Sequence, residues 1–259
     1  MSKESQATAP TDSVVANDAA FERLELLLGK ERLDVLRESC VYVLGLGGVG
    51  SSCAEALARG GVGKLVLVDR DVVSASNINR QVLAFHSTVG QPKAHVMRSM
   101  VLDINPGAQV WASTMFVRKE QVGDQFADFP KPSYVVDAID TISQKLAIAR
   151  WCQDEGIPLV SSMGGANKLD PCRLRFARIE RTSGDGLARV MRKECSKHGI
   201  RNLQVLFSDE PAACLNGPRT SEPGKRPPKG SDLGTLSYYP PIMGQMLASK
   251  VIRDLVGLQ

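Results

Sequence analysis

The sequence has no run approaching the roughly eighteen uninterrupted apolar residues that a membrane helix needs. It also has no Cys-x-x-Cys pair. Its six cysteines (Cys40, Cys53, Cys152, Cys172, Cys195, Cys214) are dispersed, and only three histidines, His86, His95 and His198, accompany them. The commonest spacing of a structural zinc site is thereby excluded. Residues Met1–Asn17 lack arginine and an apolar core segment, are rich in Ser, Thr and Ala, and include Glu4 and Asp12. They read as a disordered lead, 1–17, and not as a signal or transit peptide. Most of the thiols are then expected to be reduced and buried, as in a cytosolic protein. Net charge is small as well: it is +4, far from a nucleic-acid-binding tail, so its distribution decides more than its total.

What is present is an alternation. At 259 residues, 43% apolar and 23% charged, the chain suits one substantial α/β domain. Apolar positions from Phe21 to Arg37 recur at helical spacing around Gly29, predicting two short helices. Val41–Leu44 is a short β-branched run suited to a buried parallel strand. Further strands are predicted at Lys64–Val68, Gln109–Thr114, Tyr134–Ala138 and Ile157–Ser161. Helices are predicted at Ser51–Arg59, from Pro92 to Asp103, near Lys119–Ala127 and at Thr141–Asp154. Such alternation argues for a Rossmann-like, mostly parallel, doubly wound sheet with helices on both faces. Beyond Gly165 the pattern changes. Cys172–Ile179 alternates like a half-exposed strand, Leu187–Lys197 is a basic helix, Leu203–Phe207 a strand and Ile242–Leu255 a closing helix. Residues 216–234, rich in Pro, Gly, Ser and Lys, are expected to be a flexible loop. The expected division is 18–165 as a nucleotide-binding core and 166–259 as a substrate-binding part of the same domain.

Between the first strand and its helix lies Gly45-Leu-Gly47-Gly48-Val-Gly50. Glycines there permit a tight turn and let backbone N–H groups and a helix N-terminus approach a phosphate. Asp69, ending the second strand, stands where a ribose hydroxyl would be accepted. The loop is not the dinucleotide fingerprint, in which two unspecified residues precede the last glycine. Moreover Asn77, Arg80, Gln81, Lys93 and Asp140 follow, which hydride transfer would not need. A triphosphate needs cations on its oxygens, here Arg80 and Lys93, and Mg²⁺ needs a carboxylate, here Asp140. Each has a plainer alternative: solvated charges for Arg80 and Lys93, a helix N-cap for Asp140. Jointly they favour nucleoside triphosphate chemistry over an oxidoreductase.

The runs Gly45–Gly50, Val68-Asp-Arg-Asp71, Ser76-Asn-Ile-Asn-Arg-Gln81, Val89-Gly-Gln-Pro-Lys93, Ile104-Asn-Pro106 and Asp137-Ala-Ile-Asp140 fall in an order that resembles the adenylation domain of the ubiquitin-activating-like, ThiF-type superfamily. The resemblance implies an ATP-binding set of Gly45, Gly47, Gly48, Gly50, Asp69, Asp71, Asn77, Arg80, Gln81 and Lys93. It implies catalytic roles for Arg80, Lys93 and Asp140, with Asp140 organising Mg²⁺ and the attacking carboxylate. A homodimer is the family expectation. A second protomer often lends an arginine from its N-terminal helix; Arg23 is the nearest counterpart, although Ala20-Phe21 stands where the family has an Arg-Phe pair.

The second half resembles one branch, the tRNA threonylcarbamoyladenosine dehydratases, in Gly164-Gly-Ala-Asn-Lys-Leu-Asp-Pro171, Val205–Pro211 and Tyr238–Gly244. That implies ATP and Mg²⁺ as cofactors, tRNA as partner and a cytoplasmic setting; a mitochondrial association in a eukaryote is compatible, and a sulfur-relay protein is a further partner to consider. Independently, the stretch from Arg173 to Arg201 is basic, as phosphate contacts require, which makes Arg173, Arg175, Arg178, Arg189, Arg192 and Lys193 the tRNA-binding candidates; a solvated helix face is the plain alternative. Lys225, Arg226 and Lys229 in the loop are further candidates. No cysteine sits in an activating arrangement, and His198 reads as surface. The rival function is an adenylyltransferase that activates the C-terminus of a ubiquitin-like or sulfur-carrier protein.

Overall fold

The computed structural model describes residues 14–213 and 233–258, with side chains from residue 19 onward; Cys214 and the loop lysines and arginine at 225, 226 and 229 lie outside the described residues. Helices α1 (Val14–Leu28) and α2 (Lys30–Glu38) meet at Gly29. Helix α1 begins inside the segment expected to be an irregular lead to residue 17. Then follow β1 (Cys40–Leu44), α3 (Gly48–Arg59), β2 (Lys64–Val68), α4 (Lys93–Ile104), β3 (Gln109–Ser113), α5 (Val122–Phe126), β4 (Tyr134–Asp137), α6 (Ile142–Asp154) and β5 (Leu159–Ser162). The second half adds β6 (Leu174–Arg178), α7 (Gly186–Lys197), β7 (Gln204–Ser208) and α8 (Tyr239–Leu255).

One seven-stranded sheet runs β3-β2-β1-β4-β5-β7-β6. Every pair is parallel except β6 with β7, where the edge strand runs antiparallel with Leu174 opposite Ser208 and Arg178 opposite Gln204. The central strand shows why its sequence is apolar throughout. Val41 and Val43 face the core under α3, α4 and α8, while Cys40, Tyr42 and Leu44 face the core under α5 and α6. Alternate side chains leave a strand on opposite faces, so helices on both faces require apolar residues at consecutive positions.

Helix α5 is shorter than the sequence suggested, and 3-10 turns at Ala75–Asn77, His86–Thr88, Pro171–Arg173 and Ile179–Arg181 were not foreseen. Helix α8 carries the chain back from the far edge of the sheet to α3. Met243, Leu247, Ala248 and Val251 are buried there, and Gly244 lies so close that a Cβ would sit 2.3 Å from the Val49 carbonyl oxygen.

Strands β2 and β3 lie on one side of β1, and β4 and β5 on the other. Between β1 and β4 the connections leave in opposite directions, opening a crevice at the strands' carboxyl ends, where open α/β sheets bind ligands.

Candidate active site

The glycine loop forms the floor of that crevice. Gly45 follows β1 with φ +87°, and a Cβ there would meet the Ala138 carbonyl oxygen, beyond β4, at 2.8 Å. Gly50 allows the loop to fold back on itself, since a Cβ would fall 1.7 Å from the Gly45 carbonyl oxygen. Helix α3 starts at Gly48, earlier than expected, so Gly48 and Gly50 form its first turn and its N-terminal amides face the crevice mouth. That is the arrangement that attracts an anion.

Asp69 ends β2 and stiffens the loop. Its Oδ2 accepts the Leu46 amide at 2.6 Å, and its Oδ1 accepts the Asp71 amide at 2.8 Å. Further lone pairs remain on both oxygens for a ribose hydroxyl. Lys93 opens α4 and is buried; its Nζ lies 3.5 Å from Asp71 Oδ2, and its amide donates to the Asp71 carbonyl. The solvated-charge alternative for Lys93 is thereby removed, because an ammonium out of water requires a partner or a ligand.

Arg80 is half-buried, and its carbonyl oxygen would lie 3.0 Å from a Cβ on Gly48. Its guanidinium donates to the Ser76 carbonyl at 2.9 Å and to Asn79 Oδ1 at 2.7 Å. The Asn79 amide in turn donates to the Thr235 carbonyl at 3.1 Å, tying this loop to the start of the C-terminal segment. Asn77 accepts the Ser74 amide at 3.0 Å and caps the short turn. Gln81 is buried; its Nε2 is 4.0 Å from where a Cβ on Gly47 would be, and its Oε1 has no hydrogen-bond partner among the described residues.

Asp140 is exposed on the crevice side of β4 and accepts the Thr141 hydroxyl at 3.1 Å. The N-cap of α6 is Thr141, so the capping alternative for Asp140 does not hold. Among the described residues no three His, Cys, Asp or Glu side chains converge as in a metal cage. One carboxylate completed by substrate phosphates and water is the set Mg²⁺ commonly accepts, and Asp140 fits that role.

The sequence did not single out what lies beneath Asp140. Asp137, at the end of β4, accepts Lys145 Nζ at 2.9 Å, the Ser161 hydroxyl at 2.7 Å and the Ile139 amide at 3.1 Å. Lys145 and Asp137 are fully buried. A helical spacing that puts Lys145 on the same face as Ile148, Ala149 and Cys152 was the available signal.

A second polar group closes the crevice past β5. Lys168 is buried and donates to the Glu210 carbonyl, while the Glu210 carboxylate accepts the Leu169 and Asp170 amides. Asp185 caps α7 through the Ala188 amide at 2.7 Å. Burial pushes its carboxyl above the usual carboxylate range, opposed by that hydrogen bond and by Lys168. Asn167, at φ 57°, accepts the Ala213 amide on its carbonyl and the Gly234 amide on its side chain, so both flanks of 214–232 meet on one residue.

The basic residues separate into groups. Arg173 and Arg175 both pair with Asp209, at 2.8 and 2.6 Å. Arg192 donates to the Thr182 carbonyl and hydroxyl. Arg178, Arg189 and Lys193 are exposed, as is Arg23 on α1. His198 is exposed and lies 3.6 Å from Glu194. Burial pushes the Cys195 thiol up to about 11 and the Cys40 thiol up to about 12, and raises Cys53 and Cys152 as well. None of these four is a thiolate near neutral pH, as a nucleophile would have to be. Among the described residues no helix is long and apolar enough to cross a membrane.

The sequence matches the ThiF family over residues 21–259. It is 43% identical over 246 residues to a tRNA threonylcarbamoyladenosine dehydratase of Bacillus subtilis, covering 91% of this chain and 94% of that protein. A molybdopterin-synthase adenylyltransferase of Escherichia coli is 34% identical over 224 residues, covering 86% of this chain and 76% of that protein. Among solved structures, that of the E. coli tRNA N6-threonylcarbamoyladenosine dehydratase in complex with ATP superposes with a TM-score of 0.82 at 29% identity, covering 96% of this chain and 98% of that one. Glycine loop, crevice and the match over residues 21–259 agree, and the chain belongs to the ThiF family.

Proposed function

We propose that this chain uses ATP to cyclise the threonylcarbamoyl group of N6-threonylcarbamoyladenosine at position 37 of tRNA, with net loss of water. The observation that carries this reading is the 43% identity to the B. subtilis dehydratase, which extends along 91% of the chain and so includes the half beyond the nucleotide crevice. The substrate carboxylate attacks the α-phosphate of ATP, forming an acyl-adenylate and releasing pyrophosphate. The neighbouring ureido group then attacks the activated carbonyl, the ring closes, and AMP leaves with the former carboxylate oxygen.

The protein's share is positioning and charge neutralisation. The N-terminal amides of α3 face the phosphates. Asp69, held against the glycine loop, receives the ribose. Lys93, oriented by Asp71, and Arg80, oriented by Ser76 and Asn79, neutralise charge that develops on the phosphates. Asp140 would hold Mg²⁺, which would supply charge neutralisation on the triphosphate as the carboxylate approaches. Ring closure within the substrate needs no enzyme nucleophile, in keeping with the raised pKa values of the buried thiols.

The test is a mass measurement. Protein, ATP, Mg²⁺ and tRNA bearing the modified adenosine are incubated, and the digested nucleosides are weighed. The expected product is lighter by one water and absent without ATP. Arg80→Ala and Lys93→Ala each lower kcat by about 10²–10³, and Asp140→Ala abolishes the product. An unchanged nucleoside from folded, ATP-binding protein would refute the reading and direct attention to protein carboxyl termini.

A further inference from the structure

Resting on that reading, we propose that the tRNA is held at two places: at the crevice, and in an arginine trough at the opposite end of the sheet edge that receives stem phosphates. The edge strand β6 starts at the crevice end, where Leu174 faces Ser208, and finishes at the amino-terminal end of β7, where Arg178 faces Gln204. One such strand spans about 16 Å.

The charges at its two ends differ in kind. Near the crevice, Arg173 and Arg175 are both bound to Asp209, and Arg173 donates from Nε at 2.8 Å. At the far end Arg178, Arg181 and Arg201 are exposed and have no carboxylate partner among the described residues. These three and Arg192 line a depression of about 480 Å³ together with Ser196 and Asn202. Its one acidic wall residue, Glu180, is engaged by the Asn202 amide at 2.9 Å. A second depression, against Arg189, Lys193 and Glu194, adjoins it at Arg192 and Ser196. Arg192 is fixed by Thr182, and the Arg201 amide is held by Gln153 at 2.8 Å, so one guanidinium and the backbone of a second wall residue are in place without a ligand.

The chemistry selects a phosphodiester backbone. Four guanidiniums against one occupied carboxylate suit bidentate phosphate contacts, and arginine forks match phosphate geometry better than lysine does. The distance selects a stem. One strand length corresponds to several base steps at about 3.4 Å each, too far for the trough to touch the nucleotide being modified. The trough thus supplies affinity and register, while chemistry stays in the crevice. Arg181 and Arg201 join Arg178 as contacts, and Arg173 and Arg175 hold Asp209.

The experiment compares the full chain with the Arg178→Ala/Arg181→Ala/Arg201→Ala variant. Unmodified tRNA transcript is titrated by gel shift between about 50 and 200 mM salt, and ATP binding is measured in parallel. The expected result is at least a tenfold weaker tRNA complex at low salt, a log–log salt slope shallower by about two to three, and unchanged ATP affinity. The corresponding triple lysine variant restores most of the slope. An unchanged slope in the alanine variant overturns the proposal and leaves the trough to an acidic protein. A wild-type chain that binds ATP but no tRNA overturns it together with the reading it rests on.

Discussion

Asp209 is a residue whose neighbours set its protonation. The Arg173 guanidinium beside it, with Arg175 adding to the effect, holds its carboxyl below the usual carboxylate range. A depressed folded pKa means stability that is fully present above the unfolded value near 3.9 and disappears as pH falls through the folded value. Asp185 works in the opposite sense: its raised carboxyl makes stability decline as pH rises from the unfolded value to the folded one. The stability gap between wild type and Asp209→Asn should therefore shrink as pH falls from about 5 to about 2, measured by urea denaturation at each pH. A gap that stays constant over that range would rule out the linkage. At this scale the sequence was only partly readable. Motif position identified Lys93 as a cation for the phosphates, but its burial against Asp71 depends on how the Val72–Gln91 excursion folds back. Likewise, Arg173 and Arg175 look like free cations until β7 brings Asp209 alongside.

Three elements meet in the ion pair under the crevice, where Lys145 of α6, Asp137 of β4 and Ser161 of β5 form one buried group. Through the Ile139 amide, Asp137 also fixes the turn that presents Asp140. Breaking one partner leaves an uncompensated buried charge, which costs about 3–5 kcal/mol. Lys145→Met should lose stability of that order, and Asp137→Asn/Lys145→Met should recover much of it, as read from urea midpoints of the two variants. A single variant as stable as wild type would overturn the buried pair as a source of stability. The strands themselves were legible because each parallel strand, buried on both faces, is a short β-branched run; the helices, because their apolar positions recur at 3.6. The 3-10 turns were not, since three residues give no periodicity. Nor was the junction of Lys145 with Asp137, because which strands neighbour β4 is a property of sheet order, not of local sequence.

Across the whole molecule, the nucleotide crevice and the later half share one core. The cluster that contains Val41 and Val43 also contains Leu174, Leu206, Tyr239, Met243, Leu247 and Val251. Helix α8 seals α3 behind the glycine loop, Pro240 packs against Gly48, and Asp254 accepts the Tyr134 hydroxyl of β4 at 2.8 Å. Removing the second half also strips β7 from the edge of β5. Each fully buried Leu, Met or Val side chain contributes about 1.5–3 kcal/mol, so losing α8 alone forfeits burial comparable to the ~5–15 kcal/mol net stability of a domain. A fragment ending at residue 165 should then melt without cooperativity, bind an apolar dye and fail to bind ATP, even though every residue of the glycine loop and Asp69, Arg80, Lys93 and Asp140 remains. Calorimetry and a nucleotide titration on that fragment decide the matter. A sharp transition with ATP bound would make the second half a separable substrate module. The absence of both would make it part of the wall that shapes the nucleotide site, so that RNA recognition and adenylation are carried by a single folding unit.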